Sequence, residues 1–459
     1  MNQKDELIGA RFDGECFSLS YLGLGEVKHL GKLIYVPDFY PEEKGMIEIE
    51  YKRNGQYFGK VISLSERSKG RTEPECVYFK RCGGCIFQDY SYELEKEHKR
   101  KLIINQFHKI AGIDVDVLPT IGMEKPFNYR NKIQLHFGKD KNGATVLGFY
   151  KEGTHNVLPI KKCLIEDARG EDVANKILSI VKTLDIEPYN ENDGTGEVRH
   201  LLIRTSHSNN QILCAIVTKN ANFPAKKRLI ELIRRIAPEI TTLIQSVNKA
   251  KTNVVLGEKD FILYGPGYIE DELCGLSFKI STRSFYQVNP IMTETLYRKA
   301  MDFATLTKDD VVFDAYSGIG TIGLVAAKDA KRVISVELVP EAVKDAKENA
   351  KRNHITNFDE YEEDATKFIQ YLVAKNEHID VLFMDPPRKG STEEFIEAVK
   401  ALKPTRIVYV SCGPSTLARD VKMLSSDYDV KAVQPIDLFP RTAHVETILL
   451  LCRKDVKNS

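Results

Sequence analysis

The sequence predicts a multidomain protein of mixed α/β class, because three secondary-structure patterns follow one another along its 459 residues. Glycine-punctuated short strands come first, a mixture of strands and helices follows, and strands then alternate strictly with helices from about residue 283. A chain of this length also exceeds the size of one ordinary domain. We therefore expect three domains, at residues 1–68, 69–282 and 283–459.

The composition predicts a globular protein of the cytoplasm. Hydrophobic residues make up 42% and charged residues 29% of the chain. Runs of about 18 apolar residues, which a membrane helix needs, do not occur, and the opening MNQKDELIGA lacks the layout of a signal peptide. The net charge of +1 does not by itself indicate a nucleic-acid partner. We expect no membrane partner and no obligate protein partner.

The N-terminal domain is predicted to be a small antiparallel β-barrel of OB type. Ile47, Ile49 and Tyr51 alternate with Glu48 and Glu50, and this period of two indicates a half-buried strand. OB barrels commonly bind nucleic acids, although a barrel with no such partner would show the same pattern.

A basic segment overlaps the end of this barrel. Residues 51–110 contain 13 Lys/Arg and 7 Asp/Glu, with aromatic residues interleaved. Such a surface fits phosphate contact combined with base stacking, and it fits an ordinary solvated face equally well. The central segment that follows is predicted to be α+β.

The C-terminal domain is predicted to be a Rossmann-like doubly wound sheet, because four or more βα units repeat from VVFDAYSG to RIVYVSCG. Ligands of this fold bind at the carboxyl edge of the strands. The loop DAYSGIGTIG lies at that edge, and Glu337 ends the next strand, where a carboxylate can accept from ribose hydroxyls. Gly318, Gly320 and Gly323 also match the dinucleotide pattern G-x-G-x-x-G.

Two carboxylates argue against a dinucleotide. Asp314 precedes the first glycine and would repel a pyrophosphate, but it fits a cofactor with a positively charged methionine group. Asp385 ends a further strand in the motif FMDPPRKG. Asp-Pro-Pro at such a position is typical of methyltransferases that act on nucleobases.

Cys412 and Glu446 are the candidate reactive pair. Cys412 ends the strand RIVYVS at the same edge, and Glu446 begins the last apolar strand. Carbon 5 of uracil becomes nucleophilic once a thiolate adds to carbon 6, and a base must then remove the carbon 5 proton. One cysteine and one carboxylate meet these two needs. Upstream, Phe285 and Gln287 precede a helix capped by Asn289, where an aromatic could stack on a flipped-out base.

The motifs together resemble the S-adenosylmethionine-dependent RNA uracil-5 methyltransferases, in the branch with a TRAM barrel and an iron–sulfur cluster. The resemblance rests on these motifs in order: ECVYFKRCGGC, YRNK, SFYQVNP, DAYSGIGTIGL, DPPRKG, VSCGPSTLARD and FPRTAHVET. It implies that Cys412 is the nucleophile and Glu446 the proton acceptor. The implied cofactor contacts are Gln287, Tyr316, Glu337, Asp364 and Asp385. Phe285, Arg130 and Lys132 are the implied RNA contacts.

The resemblance also implies a cluster site at Cys76, Cys82, Cys85 and Cys163. Four thiolates bind either zinc or a 4Fe-4S cluster, and the spacing does not decide between them. The chain departs from the family at two positions. Thr321 occupies a position where some members have an asparagine that contacts the cofactor, and Gly413 replaces the asparagine that often follows the nucleophile.

The expected function is methyl transfer to carbon 5 of a uridine in RNA, with 23S ribosomal RNA as the expected substrate. A transfer-RNA enzyme of the same mechanism is one alternative. An inactive, cluster-bearing RNA-binding protein is another. The joint presence of Gln287, Asp385, Cys412 and Glu446 argues against the inactive protein, which would have no reason to retain all four.

Overall fold

The computed structural model describes residues 7–151, 153–252 and 254–455. These residues form three large sheets and a two-stranded hairpin. Among the described helices, none is long and apolar enough to cross a bilayer.

The first sheet has six strands in the order β1-β5-β6-β4-β3-β2, and β1 also contacts β3. Alternating burial along β5 confirms the period of two, and the buried side chains form a separate small core. The strands are β1 Arg11–Glu15, β2 Ser18–Leu19, β3 Gly25–His29, β4 Lys32–Val36, β5 Lys44–Arg53 and β6 Gln56–Glu66.

The second sheet has seven strands in the order β13-β12-β11-β10-β7-β8-β9. Every residue of β10 and β11 is buried, because helices α2 and α3 cover one face and the C-terminal domain covers much of the other. The elements are β7 Lys132–Lys139, β8 Thr145–Tyr150, β9 Val157–Pro159, α2 Ala168–Thr183, β10 Val198–Thr205, β11 Ile212–Thr218, α3 Lys226–Ile236, β12 Thr242–Val247 and β13 Lys259–Tyr264. A hairpin, β14 Tyr268–Leu273 and β15 Leu276–Ser281, shares its core with the C-terminal domain.

The third sheet has the order β18-β17-β16-β19-β20-β22-β21. Strands β16 to β20 are parallel, whereas β22 is antiparallel to both of its neighbours. Strand β22 therefore begins at the edge where the parallel strands end. The elements are α4 Pro290–Ala304, β16 Val311–Ala315, α5 Thr321–Ala327, β17 Arg332–Glu337, α6 Pro340–Arg352, β18 Phe358–Glu362, α7 Ala365–Ala374, β19 Val381–Met384, α8 Glu393–Leu402, β20 Arg406–Ser411, α9 Pro414–Leu424, β21 Tyr428–Ile436 and β22 Glu446–Arg453.

One more helix, α1 Tyr92–Gln106, lies in the segment that the sequence groups with the central domain. It continues into a π-helical turn at Phe107–Ala111, and its apolar face packs on the core of the third sheet. Lys99 of α1 is fully buried and forms ion pairs with Glu95 (2.7 Å) and Asp437 (2.8 Å). This triad joins α1 to residues 437–445, the loop that leads to Glu446.

We predict that Lys99→Met lowers the free energy of unfolding by about 3–5 kcal/mol, because it leaves buried Asp437 without a cation and buried Glu95 with only the more distant Arg441, at 3.8 Å. Lys101→Met is the matched control on the same helix, since Lys101 is largely exposed and only loosely paired with Glu97. The control is expected to change stability by less than about 1 kcal/mol. Urea denaturation measures both variants, and equal midpoints for them would contradict the role of the triad.

Candidate active site

The carboxyl edge of the third sheet places Cys412 opposite Glu446. Ser411 and Thr447 are paired across the antiparallel strands β20 and β22. Cys412 and Glu446 are the next residues beyond this pair, and the charge of Glu446 raises the pKa of Cys412, so the two side chains are neighbours. The two side chains that the sequence predicts as nucleophile and base thus belong to one site.

Asp385 adds a second carboxylate directly after β19. Burial raises the pKa of Asp385 to about 7. Burial, and then repulsion from Asp385, raise the pKa of Glu446 to about 8. Burial, and then the charges of Glu446 and Asp385, raise the pKa of Cys412 to about 11. The thiol of the free protein is therefore protonated at neutral pH, and ionising it requires nearby positive charge or a base.

Arg388 supplies positive charge at this site, and the sequence analysis missed it. Its guanidinium lowers the pKa of both Cys412 and Glu446 against the larger effect of burial. The Arg388 side chain is exposed, three residues beyond Asp385. A basic residue immediately after Asp-Pro-Pro was the available signal, because that loop follows the strand next to β20.

The third glycine of the loop DAYSGIGTIG, which completes the dinucleotide-like pattern, has a packing role. Gly323 donates its N–H to Asp314 Oδ2 at 2.9 Å. A Cβ at Gly323 would lie 2.7 Å from that oxygen and 2.8 Å from Ser335 Oγ. The third glycine is therefore required by close packing against a buried carboxylate. Burial raises the pKa of Asp314 to about 8, so this group is protein core and not a solvent-facing ligand.

Glu337 and Tyr316 lie on either side of this loop. Glu337 accepts from Gly318 N–H at 3.0 Å and from Val339 N–H at 2.8 Å, which holds the loop against β17. Tyr316 has a φ of 67°, a conformation that costs a non-glycine residue about 1 kcal/mol. Its hydroxyl donates to Ser391 Oγ at 3.4 Å.

Asp364 is the N-cap of α7 and accepts from the backbone N–H groups of Thr366 and Lys367. Its charge raises the pKa of Tyr316, after the larger effect of burial, so the two side chains are neighbours. The structure thus brings Tyr316, Glu337, Asp364 and Asp385 to one edge of the sheet.

Gln287 is 8% exposed, and its side-chain amide forms no hydrogen bond within the described residues, although its backbone oxygen accepts from Asn131 Nδ2 at 3.2 Å. Phe285, two residues earlier, is 67% exposed. Asn289 caps α4 and donates from Nδ2 to Leu438 O at 3.0 Å. The segment is therefore fastened to the loop that leads to Glu446, and it presents one amide and one aromatic ring.

Lys132 and Arg130 lie beside that segment. Asn131 donates its N–H to Val288 O at 2.9 Å. Burial, Arg204 and Arg130 lower the pKa of Lys132 to about 8, so three cations are concentrated here.

The two departures from the family pattern have local explanations. Thr321 Oγ1 lies 2.9 Å from the hydroxyl of Tyr297. Thr416 Oγ1 would lie 2.6 Å from a Cβ at Gly413, and it donates to Gly413 O at 2.9 Å. Thr416 thus occupies space that a side chain at position 413 would need.

The four predicted cluster cysteines lie in one region but do not form a ready metal site. Cys76 and Cys82 both raise the pKa of Cys85, and Cys85 raises that of Cys163, in each case after burial. Tyr78 also accepts from Lys161 N–H through its hydroxyl, at 3.1 Å. All nine cysteines are free. Across residues 7–151, 153–252 and 254–455, no group of three or more His, Cys, Asp or Glu side chains is arranged to hold a metal ion.

Residues 205–454 match the family model of tRNA (uracil-5-)-methyltransferases, somewhat more than half of the chain. An uncharacterized RNA methyltransferase of Oceanobacillus iheyensis is 40% identical over 454 residues, 98% of this chain and 97% of that protein. The chain belongs to the RNA uracil-5 methyltransferase family. This confirms the family predicted from the motifs, and it makes the protein an S-adenosylmethionine-dependent RNA methyltransferase.

Two further similar proteins are also RNA methyltransferases. An uncharacterized RNA methyltransferase of Staphylococcus aureus is 39% identical over 442 residues, 95% of this chain and 97% of that protein. The crystal structure of Pyrococcus abyssi tRNA (uracil-54, C5)-methyltransferase, in complex with S-adenosyl-L-homocysteine, matches with a TM-score of 0.75 and 25% identity. That match covers 96% of this chain and 100% of the Pyrococcus chain, which supports the mixed α/β fold with several sheets.

We predict that the alkylation rate of Cys412 by iodoacetamide rises with pH up to at least pH 10, because its pKa is about 11. In Glu446→Gln the negative charge that raises this pKa is absent, so alkylation becomes faster than in wild type above pH 8, where Glu446 is ionised. Glu397→Gln, at an exposed carboxylate on α8, is the control and is expected to match wild type. Mass spectrometry of the Cys412 peptide gives the rates, and identical profiles for Glu446→Gln and wild type would contradict the coupling.

Proposed function

We propose that this methyltransferase modifies carbon 5 of a uridine in 23S ribosomal RNA through a covalent adduct with Cys412. The observation that carries the proposal is the position of Cys412 opposite Glu446, at the sheet edge that also holds the glycine loop. A nucleophile, a base and a cofactor loop at one edge are what this reaction requires.

S-adenosylmethionine, when bound, supplies a methyl group on a positively charged sulfur. The residues present fit it. Gln287 has a nearly buried side-chain amide with no hydrogen-bond partner in the described part of the chain, so it is available to the cofactor. Tyr316, Glu337 and Asp364 are neighbours at the glycine loop, and Asp385 offers negative charge to the sulfonium group. We assign these five residues to the cofactor.

Cys412 begins the proposed chemistry. Its thiolate forms a bond to carbon 6 of uracil, and the electrons of the 5,6 double bond move to the carbonyl oxygen on carbon 4 as an enolate. Carbon 5 of this enolate forms the bond to the methyl group, and the broken sulfur–methyl bond leaves its electron pair on sulfur. Arg388 favours the thiolate that starts this step.

Glu446 completes the proposed reaction. Its carboxylate removes the proton from carbon 5, the 5,6 double bond forms again, and the Cys412–carbon 6 bond breaks to release the thiolate. The pKa of about 8 fits this task, because a base titrating near the working pH can both accept the proton and release it.

Phe285, Arg130 and Lys132 are assigned to the RNA. The exposed ring of Phe285 is available to stack on a flipped-out base. Arg130 and Lys132 provide positive charge beside the same segment, where phosphates of the RNA would neutralise it. The N-terminal sheet, which we propose to be a TRAM barrel, adds a further RNA-binding surface.

We further propose that Cys76, Cys82, Cys85 and Cys163 hold a 4Fe-4S cluster. Four free thiols that influence one another electrostatically are the donor set such a cluster uses, and the metal itself would draw them together. These cysteines lie outside the third sheet, so the cluster would not take part in methyl transfer. Its role would be to hold the linker and the central domain in position for RNA.

The expected result for protein purified without oxygen is equal amounts of iron and acid-labile sulfide, which Cys85→Ser loses. Cys452→Ala, at a half-buried cysteine on β22, is the control and should retain both. Zinc without sulfide in the wild-type protein would replace the iron–sulfur assignment with a zinc site.

A transfer-RNA uridine is the second candidate substrate. The Pyrococcus transfer-RNA enzyme matches along its full length and over 96% of this chain. An N-terminal barrel therefore does not distinguish a ribosomal enzyme from a transfer-RNA enzyme.

The test is methyl transfer from labelled S-adenosylmethionine to separated 23S rRNA, 16S rRNA and tRNA from cells that lack the enzyme. We expect label at carbon 5 of uridine in 23S rRNA, and none with Cys412→Ala. Label confined to tRNA would favour the second candidate. Label in no fraction, or undiminished transfer by Cys412→Ala, would overturn the proposed mechanism.

Glu446→Gln is the matched variant in the same assay. It retains the nucleophile but lacks the base, so methylated RNA is expected to remain attached to Cys412. A denaturing gel shows such an adduct as a shifted band. Normal release by Glu446→Gln would mean that another group removes the proton.

A further inference from the structure

A tight turn of the N-terminal sheet projects two exposed apolar side chains. Ser20 N–H donates to Leu24 O at 2.8 Å, and Gly23 N–H donates to Ser20 O at 2.9 Å, so Tyr21 and Leu22 are the central residues of the turn. Gly23 has a φ of 74°, which favours glycine. Tyr21 is 39% and Leu22 58% exposed. The turn holds these side chains outward rather than in the barrel core.

The turn is connected to residues 437–445, the loop that leads to Glu446. A Cβ at Gly23 would lie 2.7 Å from Ile86 and 3.0 Å from Phe87, so the turn packs closely on both. Ile86 and Phe87 donate their N–H groups to Arg441 O at 2.8 and 3.1 Å. Arg441 belongs to residues 437–445, which lead directly to Glu446. The contacts therefore run without a gap from the turn to the active site.

Tyr21 itself lies beside the reactive groups. Burial raises the pKa of its phenol, Arg388 lowers it, and Cys412 and Glu446 raise it. Arg388 and Cys412 follow strands β19 and β20, and Glu446 begins β22, so Tyr21 lies within electrostatic range of three separate segments at one edge of the third sheet. Its hydroxyl forms no hydrogen bond within the described part of the chain. A partly exposed aromatic ring near the reactive groups and an arginine offers a stacking surface and a phosphate contact together.

We propose that Tyr21 is a substrate-contacting residue, whose ring stacks on a nucleobase of the RNA segment that delivers its uridine to Cys412. The inference rests on the proposed function, since it requires RNA at this site. Moving a base into a pocket leaves its neighbours without a stacking partner, and an aromatic side chain at the entrance replaces the lost contact. The N-terminal barrel would then be part of the active site and not only an RNA-binding accessory.

The first test compares Tyr21→Ala with Tyr21→Phe in methyl transfer to unmodified 23S rRNA and tRNA. Tyr21→Ala is expected to raise KM for RNA by roughly 10- to 100-fold, the effect of one lost base stack, with KM for S-adenosylmethionine unchanged. Tyr21→Phe keeps the ring and is expected to stay within about 3-fold of wild type. Tyr371→Ala, at an exposed tyrosine on α7, is the control. A normal KM for RNA in Tyr21→Ala would overturn the proposal.

The second test uses the absence of tryptophan from the sequence. The variants Tyr21→Trp and Tyr371→Trp each introduce a single indole fluorophore. Stacking on a base is expected to quench the indole emission of Tyr21→Trp when the same RNA is added at saturation, while the emission of Tyr371→Trp stays constant. Filter binding establishes saturation independently. Unchanged emission of Tyr21→Trp at saturation would sink the inference, whereas wild-type protein that transfers no methyl group to any RNA would instead sink the proposed function.

Discussion

The buried ion triad of Lys99, Glu95 and Asp437 is the interaction on which the geometry of the catalytic site depends. An isolated charge in such a position would cost several kcal/mol, so the three groups stabilise the fold only while they stay together. Asp437 begins the loop that ends at Glu446, and Lys99 lies on a helix more than 300 residues earlier. The triad therefore anchors the start of the loop that leads to the base, although none of its members belongs to the proposed chemistry.

Further contacts hold the same loop from the N-terminal side. Arg441 donates its N–H to Glu95 Oε1 at 2.8 Å, and its guanidinium donates to Tyr90 O at 2.9 Å. Tyr129 donates its hydroxyl to Pro440 O at 3.0 Å. A loop fastened at this many points keeps a buried carboxylate close to a thiol. The charge of Glu446 raises the pKa of Cys412, after the larger effect of burial.

The grouping of the reactive residues could be predicted from the sequence, because it depends on local patterns that mark where strands end. Strand ends in an α/β fold are easily recognised, so Asp385, Cys412 and Glu446 could be assigned to one edge before their contacts were known. The role of Gly323 could not be interpreted correctly from the sequence. Asp314 and Ser335, on neighbouring strands, leave no space for a Cβ at position 323. Nor could the packing of α1 on the third sheet be predicted, since apolar residues at helical spacing do not identify the surface they cover.

The position of Tyr21 depends on contacts between residues far apart in the sequence, so it could not be predicted. Tyr21 is separated from Cys412 by almost the whole chain, and a tyrosine in a turn between two short strands carries no sequence signal of an active site. Its position follows from residues 71–90, which contact both sides. Arg71 pairs with Glu43, which precedes β5 of the N-terminal sheet, at 2.6 Å and with Asp89 at 2.9 Å, while Ile86 and Phe87 donate their N–H groups to Arg441 O.

Cys76, Cys82 and Cys85 lie within this same connecting segment. Arg71, which contacts the N-terminal sheet, lies five residues before Cys76, and Ile86, which contacts Arg441, directly follows Cys85. If the cysteines bind a cluster as proposed, ligation therefore fixes the path of the chain between the N-terminal sheet and residues 437–445. The turn of the N-terminal sheet that carries Tyr21 packs on Ile86, the residue directly after Cys85. Loss of the cluster would then alter the entrance of the active site first, while Cys412 and Glu446 would remain paired through the sheet. A group remote from the chemistry could in this way control access of RNA without taking part in methyl transfer.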